Sequence, residues 1–338
     1  MSTVTRKTRA ACARASRGAF TLVELLVAAT ITALLAGFIV LVVANVSGFW
    51  TRNSGRLSTE AQARYVLDQL TLDLESALYR DDGSVWLAVD VLTEAAGPLK
   101  PATALGTALR YDAPDIAGAT FGRSGSWLRF FTSKRGTNLT LAEISAPVAV
   151  GWRIVRRTPT VNSRDPRYFL HRAEVRPAQT GTAPGTLDAG FDITAPAYGG
   201  TTPLPGDSGA AGDPSSVRTP PRDAIVGENV IDFGVRLYAR DSTGNLAAIF
   251  PQAASTTHRA SRPPGVGDPQ TQFPEVADVM VRILTEEGAR LIAGFEANPP
   301  RVTRPPSAAT DAQYWWPLAL AHSQVFTRRI ALRGARSL

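Results

Sequence analysis

The chain has 338 residues, 44% of them apolar and 19% charged, with a formal net charge of +7. Such a composition belongs to a folded protein with apolar material for one large domain or two small ones. The single cysteine, Cys12, excludes an intramolecular disulfide and a cysteine-based metal site, and His171, His258 and His322 are too scattered to form a histidine-rich one.

The basic excess is local. Residues 1–19 contain Arg6, Lys7, Arg9, Arg14 and Arg17 and no acid, and setting these five aside leaves 31 basic against 29 acidic residues. The bulk of the chain therefore lacks the electrostatic footprint of a nucleic-acid binder, and no nucleic acid is expected as a partner. From Leu25 to Val43 the sequence LLVAATITALLAGFIVLVV carries no charge and is long enough to cross a bilayer as a helix. Thr30, Thr32 and Gly37 are compatible with this, because hydroxyls bond back to helix carbonyls and small residues let membrane helices approach. Cations before the run and none immediately after it predict a cytoplasmic N-terminus and an exported C-terminal bulk.

A cleaved secretory signal has a shorter apolar part ending in a small-residue site. Glu24 is the sharper feature: a carboxylate at the front edge of an apolar span is costly and points to a function. The stretch Gly18-Ala19-Phe20-Thr21-Leu22-Val23-Glu24-Leu25-Leu26-Val27 resembles the processing motif of type IV prepilins and type II secretion pseudopilins. The resemblance implies a cut between Ala19 and Phe20 by a prepilin peptidase and methyltransferase, N-methylation of Phe20, leader recognition through Arg17 and Gly18, and an assembly role for Glu24. The family usually has glycine directly before the cut; here that place is held by Ala19. A cut after Gly18 is the alternative, and it would move Glu24 out of its usual spacing. A signal anchor with a fortuitous match is the plainer reading of the same segment.

Past the span, Phe49 and Trp50 stand where aromatic interface anchors belong. Ala63, Val66, Leu67, Leu70, Leu74, Ala77 and Leu78 recur at spacings of three and four, which predicts an amphipathic helix over 57–79 with its stripe on a sheet. Alternation with β-branched and aromatic residues predicts strands at Trp127–Phe131, Ala149–Val155, Tyr168–Val175, Val230–Tyr238 and Val276–Leu284. The second and third read as an antiparallel hairpin similar to that of J-type or W-type minor pilin-like subunits. Thr285 to Leu291 reads as a short helix and Val325 to Leu332 as a closing strand, with Arg328 and Arg329 on a solvated face. Segments 177–224, 251–274 and 297–310, rich in proline, glycine and small polar residues, read as long surface loops. Gly206 to Asp213 has too sparse a series of oxygen ligands for calcium.

No phosphate loop, HExxH, cysteine pair or G-x-S-x-G elbow occurs, and Gly122-Arg123-Ser124-Gly125-Ser126 reads as a turn. The expectation is a non-enzyme without catalytic residues, cofactor or metal. The expected fold is α+β: a basic leader (1–19), a transmembrane helix (20–45), its amphipathic continuation (46–80), and an antiparallel β-sheet head (81–338). The resemblance implies a minor subunit that primes, caps or assembles a type IV pilus, competence pseudopilus or type II secretion pseudopilus. Its implied setting is the bacterial inner membrane, crossed once, with membrane lipid, an assembly platform and other pilin-like subunits as partners. Minor status rests on the bulk of the head and on Leu41 standing where major subunits often have proline. The competing class is a membrane-anchored surface binding module that uses the leader for export.

Overall fold

The structure, a computed structural model, describes residues 21–92, 109–110, 120–121, 125–133, 147–160, 166–175, 191–195, 198, 220–252, 257–297, 299–308 and 311–335. The chain divides into two compact units, Met1–Ser54 and Gly55–Leu338. One helix, α1 (Leu22–Glu75), runs through the boundary.

In the first unit α1 is exposed on every side, including Leu34, Phe38 and Val40. Its many β-branched residues are middling helix formers in water. An apolar medium reverses the preference, because there each backbone N–H and C=O must be satisfied within the segment. Thr30 Oγ1 donates to the Val27 carbonyl (2.8 Å) and Thr32 Oγ1 to that of Ala28 (2.7 Å), hiding two hydroxyls on the helix itself. This helix holds a stretch long and apolar enough to cross a membrane, none of it buried.

In the second unit the last turns of α1 bury Ala63, Val66, Leu67, Leu70 and Leu74, the predicted stripe. The helix stops at Glu75, short of the expected 79, because the sheet captures the next backbone: Ala77 bridges Thr132, Leu78 N–H donates to the Phe131 carbonyl and Ser133 N–H to that of Ser76. The head contains two main antiparallel sheets. Six strands lie in the order β10-β1-β4-β5-β6-β7: β1 (Leu87–Val91), β4 (Ser126–Ser133), β5 (Pro147–Arg157), β6 (Arg167–Val175), β7 (Ile225–Glu228) and β10 (Thr257–Ala260). Four lie in the order β12-β11-β8-β9: β8 (Val230–Arg240), β9 (Leu246–Phe250), β11 (Val276–Leu284) and β12 (Ser323–Ala331). A short pair, β2 (Leu109–Arg110) and β3 (Thr120–Phe121), stands apart. The expected hairpin is β5 with β6, in register from Ala149 opposite Val175 to Arg157 opposite Arg167.

Among the described residues this unit also holds two α-helices, α2 (Glu286–Phe295) and α3 (Asp311–Ala321). The Thr285 hydroxyl caps α2 by accepting from Gly288 N–H (3.2 Å), and Glu286 and Glu287 complement the positive end of its dipole. Gly125 has φ +74° and lies so near β8 that a Cβ there would meet the Phe233 carbonyl oxygen at 2.4 Å, so no other residue fits.

Segment 251–274 is not the surface loop that its composition predicts. Residues Thr257–Ala260 form the edge strand β10, His258 and Phe273 are buried, and the Gln272 side chain ties Gly265 and Gly267 together. In 177–224, Ile193 and Tyr198 are buried anchors, while 177–190, 196–197 and 199–219 lie outside the described residues. In 297–310, Val302 packs against the core. Arg328 and Arg329 reach solvent, as expected of that face, and each also makes a surface ion pair, with Asp68 of α1 and Asp278 of β11 respectively. Gly206 to Asp213 and residues 122–124 lie outside the described residues; Ser126, at the end of that predicted turn, is buried at the start of β4.

Candidate functional site

Two places combine charge with position: the first turn of α1, and the junction of its last turns with the six-stranded sheet.

Arg17, Gly18, Ala19 and Phe20 lie outside the described residues, whereas Glu24 stands in the first turn of α1. Thr21 precedes the helix, and Glu24 is its third residue. The Thr21 backbone N–H donates to Glu24 Oε2 (2.9 Å), the Thr21 hydroxyl donates to the same oxygen (3.0 Å), and Glu24 N–H lies 3.3 Å from Thr21 Oγ1. This reciprocal arrangement is a capping box. It satisfies helix-start donors that would otherwise be orphaned and sets the carboxylate at the positive end of the helix dipole. Glu24 is the sole ionisable residue between Leu22 and Thr51. The sequence reading missed Thr21, although the signal was present as Thr-x-x-Glu immediately before an apolar run.

In the head, alternation along β4, β5 and β6 puts Thr132, Trp152 and Arg172 on one sheet face, with Leu128 opposite Trp152 and Trp152 opposite Arg172. All three reach Asp73 in the last turn of α1. Trp152 Nε1–H donates to Oδ2 (3.0 Å), Arg172 Nε–H and Nη2–H donate to Oδ2 and Oδ1 (2.7 and 2.8 Å), and the Thr132 hydroxyl donates to the Asp73 carbonyl (3.0 Å). Arg172 Nη1 also donates to Glu174 Oε2 at 2.9 Å. A buried carboxylate persists when so paired, and these bonds fix the register of helix on sheet. Beside them lies a cleft of about 160 Å³ whose walls include Gln69, Leu72, Asp73, Ser76, Arg172 and Glu174.

Other charged and titratable groups of the head are also buried, on both faces of this sheet. Arg129 pairs with Asp90 and lies 3.6 Å over the Trp127 ring, and burial lowers its pKa to about 10 against the opposing pull of Asp90. His171 accepts from Arg157 at Nε2 and lies 3.1 Å from the Phe169 carbonyl through Nδ1, which assigns the neutral tautomer with its proton on Nδ1. Burial first, and the Arg157 charge second, push its pKa down to about 3. His258 is held at about 4 by burial, against the bond of its Nε2 to the Gln272 carbonyl. Glu296, just after α2, accepts from the Tyr168 hydroxyl, Trp315 Nε1–H (2.9 Å) and Arg156 Nε–H (2.8 Å), tying β5, β6 and α3 together. Each of these groups is enclosed and bonded to at least one neighbour, which is the pattern of structural cross-links. Among the described residues, no group of three or more histidine, cysteine, aspartate or glutamate residues is placed to hold a metal ion.

A long exposed apolar helix with a capped glutamate at its start is followed by antiparallel sheets, an arrangement consistent with a type IV pilin-like protein. Of known family models, the prokaryotic N-terminal methylation motif matches residues 14–40, a span that runs from the basic leader through Glu24 into the apolar run. The chain carries the prepilin-type methylation motif. Comparison with curated proteins and with solved structures gives no match.

Proposed function

We propose that the chain is a minor, non-enzymatic pilin-like subunit that helps prime, cap or assemble a type IV pilus or a type II secretion or competence pseudopilus. The observation that carries this reading is the methylation motif at 14–40 overlapping the exposed apolar part of α1, whose one charge before Arg52, Glu24, sits in a capping box. On this reading the peptidase recognises the leader through Arg17 and Gly18 and cuts between Ala19 and Phe20, and the new amino group of Phe20 is methylated. The chain crosses the bacterial inner membrane once, N-terminus inside and head outside, and meets lipid, sibling subunits and an inner-membrane assembly platform.

The chemistry of Glu24 fits such a role. A carboxylate in an apolar bundle is costly unless partnered. Thr21 already gives two donors to Oε2, and the free Oε1 is available to the cationic amino terminus of a neighbouring subunit, a charge-assisted bond that strengthens as water leaves.

N-terminal sequencing and intact mass of the membrane-extracted chain, produced with and without a prepilin peptidase, test the reading. The expected result is a peptidase-dependent start at methylated Phe20; an uncut chain under both conditions overturns it. Glu24→Ala is expected to be cut like wild type yet to be lost from filaments, and normal incorporation of that variant removes its assembly role.

A further inference from the structure

The cleft beside Asp73 has a composition that the Asp73 network does not use up. Its volume of about 160 Å³ corresponds to roughly five waters and falls below the ~300 Å³ at which pockets for small-molecule ligands begin. One side-chain head group is the right scale. Its walls bring two carboxylates, Asp73 and Glu174, to a single guanidinium, Arg172, which already donates to both. The Ser76 hydroxyl, on a residue only 7% exposed that lines the cleft, has no hydrogen-bond partner among the described residues. Buried hydroxyls are seldom left so, and the acceptor-rich wall favours a donor that carries positive charge. The rim is apolar: Leu72 lines the cleft and is 47% exposed, and Tyr65, two turns earlier on the same side of α1, is exposed as well.

We propose that this cleft receives a lysine or arginine side chain from a neighbouring pilin-like subunit packed along the Tyr65–Leu72 side of α1. The inference rests on the subunit reading above. Charge complementarity selects the head group, and the apolar rim selects a protein-borne cation over a free ion, because an aliphatic stem can lie on Leu72 while its charged end enters the cleft.

The test is photo-crosslinking of the full-length chain in the cells that assemble the filament. p-Benzoylphenylalanine replaces Leu72 in one version and Leu34, in the apolar part of α1, in another. The expected result is a light-dependent product at 72 joined to a chain with its own methylation motif, at a peptide containing lysine or arginine. Glu174→Gln is expected to lower that yield about tenfold, as loss of a charge-assisted bond would, without changing the product at 34. Ser76→Ala, which removes only the hydroxyl, is a second variant expected to lower the yield at 72 alone. A product at 34 with none at 72, as for a cleft holding only water or a free cation, overturns the inference and leaves the subunit reading standing. A product at 72 without a basic residue, or unmoved by both variants, does the same. No product at either position overturns both.

Discussion

At the scale of single residues, the head encloses several of its charges, and two buried histidines make its stability pH-sensitive. His171 and His258 are held neutral, with pKa values near 3 and 4 against an ordinary 6.5. Between about pH 6.5 and pH 4 the unfolded chain binds protons at both positions and the folded chain does not, so stability falls as the pH falls. The slope is up to about 1.4 kcal/mol per pH unit for each histidine. Urea titrations of the full-length chain in detergent at a series of pH values are expected to show this loss, and His171→Asn is expected to flatten the slope. Thr21 and Glu24 illustrate how local chemistry is readable before any fold is known: three intervening bonds in sequence are enough to specify the capping box. Asp73 is the contrary case, since its partners Trp152 and Arg172 lie 79 and 99 residues away and nothing near it in sequence announces them.

At the scale of elements, strong periodicity gave the right answer and weak periodicity did not. Strand β11 has the expected bounds, Val276–Leu284, because its alternation is long and ends at the Thr285 cap. Strand β10 reads Thr-His-Arg-Ala, and only pairing with β1 makes it a strand; its composition is that of a loop. Helix α3 contains Pro317, a residue that argues against a helix, and forms around the burial of Trp315, Trp316 and Ala319. Division into two sheets, with β1 between β10 and β4, depends on non-local pairing that no local pattern encodes. The end of α1 is similarly set from far away. A Cβ on Gly334 would lie 2.0 Å from the Ala77 carbonyl oxygen, at the point where the chain leaves the helix to pair with β4. Gly334→Ala is expected to cost about 1–3 kcal/mol, as overpacking does, read as a lower urea midpoint with an unchanged slope.

For the whole molecule, the functional reading and the fold have different origins in the sequence. The methylation motif, the apolar span and Glu24 lie within some thirty consecutive residues, so composition and order along the chain reveal them. The head is specified by contacts between distant segments, and its cleft becomes visible only once α1, β4, β5 and β6 are assembled. Of the chain's six tryptophans, Trp86, Trp127, Trp152, Trp315 and Trp316 are buried in the head, whereas Trp50, in the first unit, is three-quarters exposed. The indoles therefore divide the molecule optically. Five emit from the buried interior and report on folding, and one stands just past the apolar span, so that the wavelength and quenching of its emission register the surroundings of that span.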